Sequence, residues 1–124
     1  MATPNLGLAH IAAAQDQKEV TANAAFDGLD EALCGTLPVT VPDADVTLTT
    51  SQALSALAII ATGTLTANRK IIVPTNTKLY LVANQTTGGF PVTLTTASGT
   101  GFAVSATDGY RLTYCDGKNI NHVT

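Results

Sequence analysis

Charge is scarce in this chain of 124 residues: Asp, Glu, Lys and Arg together make up 12%, about half the fraction of an ordinary soluble globular protein. A surface so poor in charge is usually covered by something. Six basic residues stand against nine acidic ones, for a net charge of -3, and only Arg69 and Lys70 are adjacent. Phosphate backbones are neutralised by clustered Lys and Arg, so the balance excludes a nucleic-acid partner. Tryptophan is absent and aromatics reach only 5%, which counts against the aromatic platforms of carbohydrate sites. Tyr80, Phe90, Phe102 and Tyr110 are the candidates such a site would have. No apolar run has the length of a membrane span, and the start lacks the basic-then-apolar order of a secretory signal. A soluble protein made in a cytoplasm, with no membrane partner, is expected. The two cysteines, Cys34 and Cys115, lie far apart outside any CxxC and read as free thiols.

Chemistry-bearing patterns are equally thin. Acid/base catalysis needs carboxylates or histidines brought together with shifted pKa values. Of the nine acids, Asp16, Glu19, Asp27, Asp30 and Glu31 fall on one predicted helix as a solvated face. Asp108 and Asp116 each precede Gly in a turn. Asp43 and Asp45 flank Ala44 in a Pro-rich link; they are too few for the oxygen shell of a calcium site. His10 and His122 sit at opposite ends with no partner at metal-ligand spacing. Ser98-Gly99-Thr100-Gly101 lacks the order of a phosphate-binding loop, and Asn84-Gln85-Thr86 is a formal glycosylation sequon. The reading is of a protein that is no enzyme, with no catalytic residue, no cofactor and no metal.

What is abundant is threonine, roughly one residue in six, a β-branched residue that suits a pleated surface. The length allows one domain with an appendage. Residues 2–15, with Pro4 and Gly7, show no clear period and read as an arm. From Gln15 the spacing predicts one helix of four to five turns, with Asp16 as N-cap, Glu19 three residues on, and Cys34-Gly35 as its stop. Ala22, Phe26, Leu29 and Leu33 recur four, three and four apart, the spacing of a coiled-coil seam. That seam packs either on a second subunit or on the chain's own β domain; so short a helix is marginal alone and must dock on something.

Beyond Gly35 the pattern is strands and turns. Strands are expected around Pro38–Pro42, Val46–Thr49, Ala56–Thr66, Lys70–Val73, Lys78–Ala83, Val92–Thr95, Phe102–Ser105 and Tyr110–Cys115. The run Leu54–Ile60 tolerates helix but reads as buried strand. Alternation such as Val92-Thr93-Leu94-Thr95 predicts one buried and one wetted face. Turn signals between the strands, at intervals of about 8–12 residues, predict an antiparallel β-sandwich, jelly-roll-like. No period of a classical repeat family is visible. The fold class expected is mainly β, with a docking arm and helix in residues 1–35 and the sandwich in residues 36–124.

Two stretches carry a resemblance. The opening TPNLGLAHIAAAQDQKEVTANAAFDGLDEAL resembles the N-terminal segment of a family of phage and gene-transfer-agent virion proteins, with the pattern TPNLxLPxIxxxQAQKxVTxNEAxxxLD. Thr3, Pro4, Asn5, Leu6, Leu8, Ile11, Gln15, Gln17, Lys18, Val20, Thr21, Asn23, Ala25, Leu29 and Asp30 match it; Ala9, Asp16 and Ala24 depart from it. From Thr62 to Ile120 the chain is similar to a β module of phage tail-fibre, head-fibre and decoration proteins, through Gly63-Thr64-Leu65, Ile72-Val73-Pro74, Thr87-Gly88 and Tyr114-Cys115-Asp116-Gly117. The resemblance implies a non-enzymatic structural protein of a bacteriophage virion, assembled in the host cytoplasm. It implies a homotrimer serving as capsid decoration protein or head-fibre base, with the major capsid protein or another head or tail protein as partner. Pro4, Leu6, Leu8 and Ile11 would then dock on the virion, and Ala22, Phe26, Leu29 and Leu33 would form the subunit interface. A tail-fibre or tail-adaptor module, holding host glycan, is the alternative.

Overall fold

The computed structural model describes residues 2–12 and 18–124. Helix α1 runs from Lys18 to Cys34, and the expected N-cap at Asp16 lies outside the described residues. Gly35 ends the helix, its amide donating to the Glu31 carbonyl at 2.6 Å. The rest is mainly β: β1 (Thr36–Thr40), β2 (Val46–Thr47), α2 (Thr50–Leu54), β3 (Ala58–Thr62), β4 (Arg69–Val73), β5 (Lys78–Asn84), β6 (Val92–Thr96), β7 (Phe102–Val104), β8 (Tyr110–Cys115) and β9 (Ile120–His122). Among the described residues, no helix is long and apolar enough to cross a membrane.

The strands form two mixed sheets, in the orders β1-β3-β5-β8-β9 and β2-β4-β6-β7. Antiparallel pairing, expected throughout, is confined to β5–β8, β8–β9 and β6–β7. The other pairs are parallel. Thr36 lies beside Ala58 and Ala58 beside Leu81 in one sheet; Val46 lies beside Ile71 and Ile71 beside Leu94 in the other. The chain therefore alternates between sheets and advances one strand position every 22 to 25 residues, which makes the central part a short parallel β-solenoid rather than a jelly roll. The last antiparallel strands close its far end. A repeat thus exists that the sequence conceals, because successive coils share inward positions and not residue identities: Val39, Ala61 and Asn84 occupy one such column.

Inward side chains from both sheets meet in one core containing Ile59, Ile71, Tyr80, Val82, Val92, Leu94 and Val104, all essentially inaccessible. Thr49 caps α2 with a reciprocal box: its Oγ1 accepts from the Gln52 amide, and the Gln52 side chain accepts from the Thr49 amide. Two side chain–backbone bonds at so short a helix satisfy amides that would otherwise be orphaned. This turn takes the first residue of the Leu54–Ile60 run expected as buried strand, and the strand expected over Ala56–Thr66 is confined to β3. The coils also stack at a glycine corner. Gly63 and Gly88 have φ of 121° and 110°, and a Cβ on either would strike the carbonyl oxygen of Val41 or Leu65 in the coil before it. Only glycine permits both the conformation and the approach.

Candidate functional site

The N-terminal residues fold back on α1 as a clasp instead of trailing as an arm. Ala2 and Ala9 form an antiparallel bridge, Gly7 turns the chain at φ 66°, and the buried Thr3 accepts the Leu8 amide on its hydroxyl at 2.9 Å. This loop leaves the amides of Asn5 and Leu6 pointing the same way. The Asp30 carboxylate takes both, at 2.8 and 2.6 Å. Burial works to raise the pKa of Asp30, but hydrogen bonds from the Thr3 hydroxyl and the Leu6 and Asn5 amides outweigh it and hold the carboxyl below its usual value. Further along, Asn23 bonds both the amide and the carbonyl of Ile11, at 2.9 and 3.0 Å. Nε2 of His10 lies 2.7 Å from the Asp27 carboxylate.

Asn23, Asp27 and Asp30 are spaced four and three apart, one position on from Ala22, Phe26 and Leu29. One position on an α-helix is about 100°, so the two stripes lie side by side and point to different surroundings. The polar stripe holds the clasp. The apolar stripe is left uncovered: Phe26, Leu29 and Leu33 are 40%, 62% and 59% exposed, while Ala22 is half-buried. The expected solvated acidic face is corrected accordingly. Glu19 and Asp30 are buried and Asp27 is half-buried, leaving Glu31 exposed; Asp16 lies outside the described residues. The signal was present as a second 4,3 spacing of Asn and Asp, but carboxylates on a helix are ordinarily solvated, which hid it.

On the clasp surface Pro4, Leu6 and Leu8 are exposed and Ile11 is half-buried. At the other end of α1, Ala32 and Leu33 join Leu54, Leu57, Leu79 and Leu112 around a groove of about 600 Å³. Lys78 crosses beneath it. Its Nζ donates to the carbonyls of Ala32, Ala56 and Leu79 and lies 4.8 Å from the Tyr80 ring centroid. Desolvation lowers the Lys78 pKa. The lysine ties the last turn of the helix to the solenoid.

The remaining polar residues singled out in the sequence serve the fold. Asp43, at φ 57°, accepts from the amide and hydroxyl of Thr66 and pairs with Arg69 at 3.0 Å. The Thr66 hydroxyl, the Thr66 amide and Arg69, in that order, depress its pKa to about 2. Asp45 accepts from the Lys70 amide, so both acids of the link staple one coil to the next. Asp116 caps its turn through the amides of Lys118 and Asn119. Asn84 is buried, donates to the carbonyls of Phe90 and Val104, and accepts from the amide and hydroxyl of Thr86, so the sequon is inaccessible to glycosylation. Cys34 is exposed and Cys115 buried, both free. Tyr80 lies in the core, where burial and the neighbouring Cys115 push its pKa up to about 12. Phe90 and Phe102 are half-buried and Tyr110 is exposed; Phe102 stacks on His122 at 4.8 Å with Arg111 over its ring. Among the described residues no three His, Cys, Asp or Glu side chains gather as a metal cluster would.

The most distinctive assembly is thus the clasp with its exposed apolar surface. In comparison with known proteins, the sequence matches no family model, and no curated protein or solved structure is significantly similar to it.

Proposed function

We propose that this chain is a non-enzymatic structural protein of a phage-like virion, a homotrimeric capsid decoration protein or head-fibre base attached through its N-terminal segment. One observation carries the reading: residues shared with the virion-protein pattern supply much of the clasp. Thr3, Asn23 and Asp30 through side chains, and Asn5, Leu6 and Ile11 through backbone atoms, lock the loop to α1 beside His10 and Asp27, which the pattern does not include. A hydrogen-bonded element outside the solenoid is suited to serve as an attachment module. That element turns Pro4, Leu6 and Leu8 outward, and apolar side chains set in a rigid loop dock with little further loss of conformational entropy. The solenoid is then a stiff body presented away from the particle.

The test uses intact protein and particles lacking it. Wild-type chain should bind such particles stoichiometrically. A Leu6→Glu/Leu8→Glu variant, altered only at exposed positions, should lose attachment by at least tenfold while keeping its circular dichroism spectrum. Undiminished attachment of the variant, or wild-type protein that never co-sediments with particles, would reject the proposal. The tail-adaptor alternative draws on the Arg111, Phe102 and His122 stack as a place for a sugar ring. It predicts glycan binding that survives the Leu6 and Leu8 changes and is lost on Phe102→Ala.

A further inference from the structure

The groove at the end of α1 is walled almost entirely by aliphatic side chains. Ala32 and Leu33 from α1, Leu54 from α2, Leu57 just ahead of β3, Leu79 from β5 and Leu112 from β8 line it, and the polar residues among them are Thr77 and Lys78. Its volume of about 600 Å³ falls within the ~300–1,000 Å³ of small-molecule sites. The lining contains no aromatic ring and no carboxylate. Those walls narrow the class of ligand. A peptide or a sugar laid along the groove would lose water from many N–H, C=O and hydroxyl groups, and only Thr77 and Lys78 could replace it as partners. A flat aromatic molecule would find no ring to stack on. An alkyl chain needs neither.

Lys78 specifies what the end of that chain must carry. It is half-buried, and the ion pairs among the described residues, His10 with Asp27, Arg69 with Asp43 and Arg111 with Asp108, do not include it. Neutral groups hold its ammonium instead: the carbonyls of Ala56, Leu79 and Ala32, at 2.5, 3.1 and 3.3 Å, and the ring of Tyr80. They satisfy its N–H groups and leave its charge without a counter-charge in an otherwise apolar wall, an arrangement that burial disfavours. The lowered Lys78 pKa has the same cause. The bond to Ala32 is the longest of the three, and it is the one an incoming anion can take over. We propose that this groove binds a free aliphatic carboxylate, its tail against the leucines and its carboxylate on Nζ of Lys78. Walls and cation together set the class, because a neutral alkyl chain leaves the ammonium uncompensated and an alkylamine adds a like charge. The site stands independently of the virion reading, which rests on the clasp.

Titration of isotope-labelled full-length protein, followed by amide chemical shifts, tests the site with three probes that share one tail: octanoate, octanol and octylamine, each below the concentration at which it aggregates. Octanoate should shift the amides of Leu33, Leu57, Leu79 and Leu112 and bind about tenfold more tightly than octanol, the gain expected of a charge-assisted hydrogen bond. Octylamine should bind most weakly, and acetate, which has no tail, should cause no saturable shift. Lys78→Met should bring octanoate down to the affinity of octanol and leave octanol unchanged. Because that variant also loses the tie to Ala32, Leu112→Glu gives a second reading with Lys78 intact: a fixed carboxylate in the groove should abolish octanoate binding and reverse the order of octanoate and octylamine. Where Lys78→Met alters the spectrum as a whole, Leu112→Glu alone decides. Absence of octanoate shifts in the groove, equal affinity of the wild type for octanoate and octanol, or wild-type selectivity retained in the deciding variant overturns the proposal. Particle attachment reports separately on the virion reading.

Discussion

Up to Cys34, the buried side chains among the described residues are Thr3, Glu19 and Asp30, all polar; every buried hydrophobic residue lies at or beyond Val39. The N-terminal module is therefore held by hydrogen bonds, each contributing about 0.5–1.5 kcal/mol net, and the solenoid by burial of large apolar side chains at about 1.5–3 kcal/mol each. An isolated helix of 17 residues is near the limit of stability in water. The solenoid has a hydrophobic core of its own, whereas the module keeps its apolar residues outward. Opening a unit without a hydrophobic core of its own costs less than opening the solenoid, while the closed clasp holds Leu6 and Leu8 in place through the bonds to Asp30.

Substitutions should separate the two regions. The largest effect is expected at Leu94, fully buried between coils. Leu94→Ala should cost about 2–5 kcal/mol in denaturant unfolding, while Leu29→Ala, at a position 62% exposed, should stay within about 0.5 kcal/mol when measured on dissociated chains. A comparable loss at Leu29 would mean that the helix ridge is covered within the single chain. Next, Asn84→Ala strands the Phe90 and Val104 carbonyls and the Thr86 amide and should cost about 1–3 kcal/mol; an unchanged midpoint would refute the role of Asn84 as the anchor of the last coil. Acid titration comes third. Asp43 has its folded pKa depressed from 3.8 to about 2, so its stabilisation is present above pH 4 and is lost as the pH falls from there through 2. Asp43→Asn should flatten that part of the stability–pH curve, and an identical curve would show that the coil staple carries no linkage. The smallest global effect is expected from Asp30→Ala. Its cleavage by protease around residues 5–8 should rise several-fold with the unfolding midpoint of the solenoid unmoved, and a shift of that midpoint would show that the two regions unfold as one.

Element positions were largely legible and their pairing was not. The strand expected at Tyr110–Cys115 is β8 without change, and those at Lys78–Ala83 and Val92–Thr95 are one residue short of β5 and β6. Alternation reports which face a side chain takes, but it is silent about which strand lies alongside. Parallel strands usually read as continuous apolar runs because both their faces are covered. Here β6, Val-Thr-Leu-Thr-Thr, has threonine at its outward positions and so imitates an antiparallel strand. α2 was missed because Thr49-Ser51-Gln52 sits beside the apolar run at Leu54, where strand chemistry was expected to prevail; the capping box at Thr49 and Gln52 was the available signal. β9 was missed because Ile120-Asn121-His122 is too short to show a period. In the clasp, the structure leaves Pro4, Leu6 and Leu8 exposed, but the scaffold that holds them was not legible, since a backbone amide reaching a carboxylate 25 residues away leaves no local spacing to read.

Strands spaced about 4.8 Å apart and joined parallel give the β-solenoid a ruler-like character. Each coil stacks on the one before and the one after, so inserting a whole coil of 22 to 25 residues between β3 and β5, with its own lysine at the Lys78 position to keep the tie to Ala32, would raise the far end by a single increment. Length can in this way be tuned by duplication, in steps, without redesigning the N-terminal clasp.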